Sequence, residues 1–230
     1  MGSIATPTSA EPAIGRPVFA SGLIRPWIIA NTMAFTIGGA VGGGVLRAIV
    51  GPWFGSDVSA MEAGLIQATG AGLSAAVFWT LAGSAQWLVL RHAIRARWWV
   101  PATALGAAAA AALGGFSGGG ANSTIGPDTG PVPPILLVVL VVPLMTLFLS
   151  AGQWLILRRE AEGAGPWLFV NAAALLAAGF IGLTVAKMLP SIAATEYPSA
   201  RALAVVGAVS GPIYAGLTWA LLATLRRRRA

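Results

Sequence analysis

Long apolar stretches alternate with short polar segments along most of the chain. Six stretches are predominantly apolar over about 20 residues, the length an α-helix needs to cross roughly 30 Å of bilayer hydrocarbon. The third, rich in alanine and glycine, is the least hydrophobic of them. The pattern predicts an all-α integral membrane protein with six transmembrane helices. These lie at about residues 26–47, 63–90, 98–116, 135–157, 166–189 and 202–225.

Composition agrees with a membrane protein and narrows its chemistry. Hydrophobic residues make up 57% of the chain and charged residues 9%, which is more apolar surface than a soluble domain can bury. Cysteine is absent, so thiolate catalysis and Cys-ligated metal sites are excluded. The seven acidic residues lie outside the predicted hydrocarbon core and form no acid–base or metal-binding spacing. We expect a non-enzymatic protein with no identifiable cofactor. A membrane protein of this kind is compatible with a bound lipid or pigment.

The basic residues predict an orientation in the membrane. Of the 14 Lys and Arg residues, 11 lie on one side of the predicted helices. Short basic clusters between apolar stretches are typical of the positive-inside rule, whereas nucleic-acid binding needs one continuous basic face. We therefore expect no nucleic-acid partner and place both termini in the cytoplasm. Richness in Ala, Gly and Arg is typical of a high-GC bacterial genome, which indicates the bacterial cytoplasmic (inner) membrane.

The six stretches predict one membrane domain, at residues 25–226. A disordered or extended N-terminal arm is predicted at residues 1–24, and a basic C-terminal tail at 227–230. The longest connection, at 117–134, is rich in Gly, Pro and Asn, and predicts a flexible loop on the side opposite the termini.

Internal similarity divides the domain into three parts. The string QWLVLR at 86–91 recurs as QWLILR at 153–158, and the fifth stretch matches the first at an offset of 140. The third and sixth stretches fit more loosely, through Trp98 and Leu225. The pattern predicts three parallel helical hairpins, related by an axis along the membrane normal. Their approximate bounds are 25–91, 97–158 and 166–226.

The QWLVLR and QWLILR strings are each followed, after a basic turn, by Trp and a helix of small residues. In this they resemble uncharacterised bacterial multi-pass membrane proteins that repeat such a motif. The similarity covers residues 86–115 and 153–183 best, and the first hairpin lacks the lead-in to the motif. That family has no assigned activity, so the resemblance implies a multi-pass membrane protein and no catalytic residue.

Polar residues within the predicted helices are the first candidates for function, because unpaired polar groups in hydrocarbon are costly. The repeated Asn31 and Asn171 are predicted to face each other or a shared axis, and Gln67 would extend a polar path. Pro143 and Pro212 are expected to kink their helices near mid-membrane. These residues would either line a pore or form interhelical hydrogen bonds, and we favour the hydrogen bonds.

Small residues recur at four-residue spacing, which predicts close helix packing. The pairs are Gly38 with Gly42, Gly39 with Gly43, and Gly207 with Gly211.

Tryptophans mark the predicted cytoplasmic edge, where an indole ring can anchor a protein in the membrane interface. Trp87 precedes Arg91 by four residues, and Trp154 precedes Arg158 in the same way. This spacing puts each pair on one helix face and favours a cation–π contact. We interpret these four residues as interface or lipid anchors, together with Trp27 and Trp167.

Three further residues have candidate roles at the helix ends. Arg47 and Lys187, at the opposite edge, would extend to the interface or form an outer vestibule for an anion. His92 is the single histidine; it fits the basic turn better than a ligand of haem or chlorophyll.

Helices rich in small residues and without buried charges favour an accessory or scaffold subunit. Its expected partners are the lipid bilayer and other membrane protein subunits. The alternative is a transporter or channel for a small neutral or anionic solute, along the pseudo-threefold axis. Transport commonly requires ionisable residues at membrane depth, so we favour the accessory hypothesis.

Overall fold

The computed structural model describes residues 17–19, 21–53, 58–124, 142–189 and 200–227. These residues are almost entirely helical, which confirms the all-α prediction. The helices are α1 Ile24–Val50, α2 Ala60–Leu90, α3 Trp99–Thr124, α4 Val142–Glu160, α5 Trp167–Lys187 and α6 Ala200–Leu222. Two-residue strands β1 Ala161–Glu162 and β2 Arg226–Arg227 pair antiparallel, and 3₁₀ turns lie at Ser21–Leu23 and Gly51–Trp53.

Five helical segments are long and apolar enough to cross a membrane. They are Ile24–Trp53, Ala60–Leu90, Trp99–Phe116, Trp167–Lys187 and Ala200–Leu222. The described part of α4 is not among them, and residues 135–141, predicted to begin that span, lie outside the described residues. These five segments fit a multi-pass membrane protein by length and composition, and the sixth span stays a prediction.

The six helices form a closed ring. Each helix packs against the next one along the chain, and α6 packs against α1. Side chains from the starts of α1, α3 and α5 meet side chains from the ends of α2, α4 and α6, so consecutive helices run in opposite directions. We call this end of the bundle the Trp end, after Trp27, Trp99 and Trp167, which are all fully buried there.

Helix α2 begins earlier than the hydrophobic pattern predicts, because a capping box starts it. The hydroxyl of Ser59 accepts a hydrogen bond from the backbone N–H of Glu62 at 3.3 Å, and the Glu62 carboxylate accepts one from the backbone N–H of Ser59 at 2.9 Å. Two donors of the first turn are thereby satisfied.

Helix α3 corrects the prediction of a loop at 117–134, since it continues to Thr124. Glycines favour loops when they are exposed, but packing overrides this preference when a neighbouring helix lies close. Helix α2 provides such a neighbour up to Phe116, at the point where the loop was predicted to begin. A Cβ at Gly64 would lie 3.2 Å from the ring of Phe116, and one at Gly115 would lie 2.6 Å from the carbonyl oxygen of Gln67.

Part of the predicted N-terminal arm packs against the bundle. The backbone N–H of Val18 donates to the carbonyl of Leu225 at 3.0 Å, and Pro17 forms a β-bridge with Arg226. The Phe19 side chain is 3% exposed and meets the edge of Trp219. Residues 17–19 thus cover the Trp end together with β1 and β2; residues 1–16 lie outside the described part.

Candidate functional site

A buried hydrogen-bond network crosses the bundle near the Trp end, with Gln86 of α2 at its centre. The Gln86 side-chain N–H donates to Oδ1 of Asn31 at 2.8 Å. Its Oε1 accepts from the indole N–H of Trp99 at 3.0 Å and from the amide of Gln153 at 3.5 Å. All four side chains have no exposed surface. One glutamine therefore links α1, α2, α3 and α4.

Gln153 of α4 continues the network to the other helices. Its amide donates to the hydroxyl of Thr103 at 3.1 Å, and its Oε1 accepts from Asn171 at 3.1 Å. The same Asn171 amide donates to Ser150 at 2.9 Å. The phenol of Tyr214 donates to Oδ1 of Asn171 at 2.6 Å. Asn31 and Asn171 thus belong to one network, joined through two glutamines.

Trp27 connects the last helix to the first. Its indole N–H is 3.2 Å from the carbonyl oxygen of Ala215 and 3.2 Å from the hydroxyl of Thr218, both on α6. Its backbone carbonyl accepts from the amide of Asn31 at 2.9 Å. With these contacts every helix contributes a buried polar side chain to the same region.

The network contains only neutral groups, which decides what it can do. Amides, hydroxyls and indoles carry no net charge near neutral pH, so these groups interact through neutral hydrogen bonds. Among the described residues, no group of three or more His, Cys, Asp or Glu could hold a metal ion. Polar groups that satisfy each other in a low-dielectric interior fix the relative positions of the helices.

One buried side-chain polar atom of the described residues has no hydrogen-bond partner, the indole N–H of Trp167 on α5. Its ring is fully buried and meets the edge of Trp99, with centroids 6.1 Å apart. Trp167 therefore packs like Trp27 but lacks the hydrogen bonds that Trp27 makes.

This difference predicts unequal effects of two similar substitutions. We expect Trp27→Phe to cost about 1–2 kcal/mol more in free energy of unfolding than Trp167→Phe, because only Trp27→Phe removes hydrogen bonds. Both changes remove comparable ring volume, so each is the control for the other. Unfolding in detergent, followed by circular dichroism, measures the difference. Equal costs would contradict the pairing of Trp27 with Ala215 and Thr218.

The structure corrects the interpretation of Trp27 and Trp167 as lipid anchors. Both rings are fully buried among the helices, so neither reaches the membrane interface. Thr103 and Tyr214 were not among the candidate residues predicted from the sequence. A spacing would have identified Thr103, since it follows Trp99 by four residues as Asn31 follows Trp27.

Gln67 does not take part in the network. It lies 19 residues before Gln86 on α2, about 28 Å along the helix axis. The proposed polar path through Gln67 and Asn31 is therefore not formed.

The other predicted interface residues lie on the outside of the bundle. The guanidinium of Arg91 is 5.5 Å from the ring centroid of Trp87, and that of Arg158 is 4.6 Å from Trp154. These distances are within the range of a cation–π contact. His92 is exposed and accepts a hydrogen bond from Nε of Arg91 at 3.3 Å.

Arg47 and Lys187 are both exposed, in the last turns of α1 and α5, at the end of the bundle away from the Trp end. A role in an outer vestibule stays a prediction.

An axial cavity of about 470 Å³ lies between the helices, on the side of the network away from the Trp end. Residues from all six helices surround it, and most are Gly, Ala, Leu, Val or Phe. Asn31, Asn171, Pro143 and Pro212 do not border it, contrary to the pore hypothesis.

The polar residues around the cavity have their hydroxyl protons engaged. Ser74 donates to the carbonyl of Gly42 at 2.8 Å, Ser210 to that of Ala178 at 2.7 Å, and Thr146 to that of Pro143 at 2.8 Å. The described wall is therefore an apolar surface with no free hydroxyl donor.

Aromatic rings separate the cavity from the network. Phe35, one turn beyond Asn31, borders the cavity and stacks on Tyr214 with centroids 5.2 Å apart. Phe78 and Trp79 meet Phe35 edge to face, at 5.1 and 5.6 Å. An aromatic layer and then the polar network thus lie between the cavity and the Trp end.

Comparison of the chain with protein families, curated proteins and solved structures finds no match. The network, the cavity and the bundle surface are therefore the features that bear on function.

Proposed function

We propose that this protein is a non-enzymatic multi-pass protein of the bacterial cytoplasmic membrane. It acts as an accessory or scaffold subunit that packs against other membrane proteins, lipids or pigments. One observation carries the proposal: a single network of hydrogen bonds joins buried polar side chains from all six helices. A network that satisfies itself holds a fixed shape and leaves little polarity to bind a polar substrate.

The proposed orientation places both termini, and the Trp end, in the cytoplasm. It is supported by the arginines of the turns at this end and by the rule that cytoplasmic loops are rich in Lys and Arg. The described residues of the N-terminal segment and of β2 also lie at this end.

We further propose that the bundle consists of three hairpin repeats. The odd helices each begin with a buried Trp followed four residues later by a buried Asn or Thr. The even helices each end with a buried Gln or Thr followed four residues later by a buried Leu. In this alignment Trp99 takes the place assigned to Trp98, whose side chain is 61% exposed, and Leu222 replaces Leu225.

Purification from native membranes tests the accessory role. In mild detergent, the tagged protein is expected to bring down partner subunits in fixed stoichiometry, and an absorption spectrum of the product tests for pigment. Gln86→Leu, which disrupts the network, should lose those partners. Leu88→Ala, an exposed site two residues away, is the matched control and should retain them. Isolation of the wild type as a lone monomer would contradict the proposal.

The axial cavity favours a second candidate function, transport along the pseudo-threefold axis. Its apolar wall changes the expected solute from a neutral polar or anionic molecule to an apolar one. Gly179 borders the cavity and a Cβ there would touch nothing within 4 Å, so Gly179→Leu is the substitution chosen to reduce the cavity volume. The test is uptake of an apolar fluorescent solute by proteoliposomes that contain the protein. Uptake that Gly179→Leu abolishes and the control Gly216→Leu retains would establish transport in place of the accessory role.

A further inference from the structure

The turn between α2 and α3 forms a concave basic site at the Trp end. The site has a volume of about 590 Å³ and lies between this turn and the end of α4. Of the residues that the structure describes, its wall includes four arginines, two tryptophans and one carboxylate, that of Glu160. The arginines are Arg91, Arg95, Arg97 and Arg159, and the tryptophans are Trp87 and Trp98.

The four arginines are available to a ligand. All are exposed, and in the part of the chain that the structure describes, no carboxylate makes an ion pair with any of them. Two are held beside aromatic rings: Arg91 over Trp87 at 5.5 Å and Arg97 over Trp98 at 5.8 Å. Nε of Arg91 donates to His92, which leaves the two terminal nitrogens of this guanidinium for an anion. Arg binds phosphate in a bidentate manner.

The related turn between α4 and α5 differs in charge and in access. The last turn of α4 carries Arg158 and Arg159 but also Glu160, and the turn that follows adds Glu162. Its residues 161–162 form β1, which pairs with β2 near the C-terminus. The α2–α3 turn contributes three arginines and no acidic residue, and no described strand pairs with it. Of these two turns, only the α2–α3 turn therefore carries an excess of positive charge.

Apolar helix faces lead from this site into the predicted membrane. On α4, Leu155 and Phe148 lie four and eleven residues before Arg159, hence on one face, and are 42% and 53% exposed. On α3, Leu105 follows Trp98 by two turns and is 71% exposed. Helices α3 and α4 are neighbours. A hydrocarbon chain can lie along these faces while its headgroup reaches the arginines.

We infer that this site binds the phosphate headgroup of an anionic phospholipid. The lipid belongs to the cytoplasmic leaflet if the termini are cytoplasmic as proposed, and basic pockets between helices on that side are suited to such headgroups. This site would give the proposed accessory protein a specific lipid contact. The inference rests on the proposed function only because both require the protein to lie in a bilayer. A lipid-binding test uses no protein partner, so its failure would leave partner capture unaffected.

Native mass spectrometry of the purified full-length protein tests the inference. Phosphatidylglycerol, titrated in detergent, is expected to bind at least tenfold more tightly than phosphatidylcholine. The triple variant Arg95→Gln, Arg97→Gln, Arg159→Gln should lose roughly tenfold or more of this affinity, since each basic residue near an anionic lipid contributes to binding. Thermal unfolding confirms that the variant is folded, as expected for exposed side chains.

The matched control removes the same charge at the same end of the bundle. The double variant Arg25→Gln, Arg226→Gln changes two exposed arginines that do not border the site, and it is compared with the double variant Arg95→Gln, Arg97→Gln within the site. The control variant should retain most of the affinity. Equal losses in the two double variants, or equal binding of the two lipids, would overturn the inference. Competition by millimolar inorganic phosphate that is as effective as lipid would identify a soluble anion as the ligand and overturn the lipid assignment.

Discussion

Replacing Gln86 by Leu is expected to lower the free energy of unfolding by about 2–4 kcal/mol. The substitution removes the acceptor of the Trp99 indole and the donor to Asn31, and each unsatisfied buried group costs about 1–3 kcal/mol. Gln153 is affected less, because it keeps its hydrogen bond to Thr103. A single interhelical hydrogen bond in a membrane contributes only about 0.6 kcal/mol on average. The expected loss of stability is larger because the substitution leaves the Trp99 indole and the Asn31 oxygen buried without a partner. Titration with a denaturing detergent, followed by circular dichroism, measures it.

Two comparisons isolate the network from general packing effects. Leu88→Ala, 49% exposed and on the same turn of α2, is expected to change stability by less than about 1 kcal/mol. Asn31→Leu should cost less in the Gln86→Leu background than in the wild type, because its oxygen has then already lost its donor. Additive costs, or a Gln86→Leu variant as stable as Leu88→Ala, would show that the network does not order the helices.

Hydropathy predicted where helices occur but not which way their polar residues point. The apolar stretches identified all six helices, and most of the described helix ends lie within a few residues of the predicted ones. A stretch of about 20 apolar residues is typical of a membrane-spanning helix. The same pattern assigned Trp27 and Trp167 to the membrane interface. A Trp at the first turn of a span can face lipid or the bundle interior, and hydropathy is the same in both cases. Both rings are buried because of how the helices pack, and this packing cannot be derived from a single sequence.

The adjacent Trp98 and Trp99 show the same limit. Neighbouring residues on a helix point about 100° apart, so only one of two consecutive tryptophans can face the axis. The repeat offset did not distinguish them, and the structure buries Trp99 while 61% of Trp98 is exposed. Thr103 was missed because a threonine is common in membrane helices, where its hydroxyl is usually satisfied by its own backbone. The axial cavity was also not predicted. Its volume depends on the distances between the six helices, and the residue types in a sequence constrain those distances only loosely.

The interface between α1 and α6 closes the ring, and it gives the second large predicted effect. The two helices approach so closely that a Cβ at Gly207 would overlap the carbonyl oxygen of Phe35, and one at Gly39 would overlap that of Leu203. A backbone carbonyl cannot move aside as a side chain can. We therefore expect Gly207→Ala to separate the helices and to cost about 3 kcal/mol, near the upper end of overpacking effects.

Gly216 provides the matched control on the same helix, because a Cβ there would touch nothing within 4 Å. Gly216→Ala should stabilise the protein by about 0.5–1 kcal/mol, since Ala loses less backbone entropy than Gly in a helix. The two variants are thus expected to shift the unfolding midpoint in opposite directions. If Gly207→Ala were as stable as Gly216→Ala, α1 and α6 would not pack at this distance. The ring would then be open between the first and last helices, and the axial cavity would be accessible to lipid from that side.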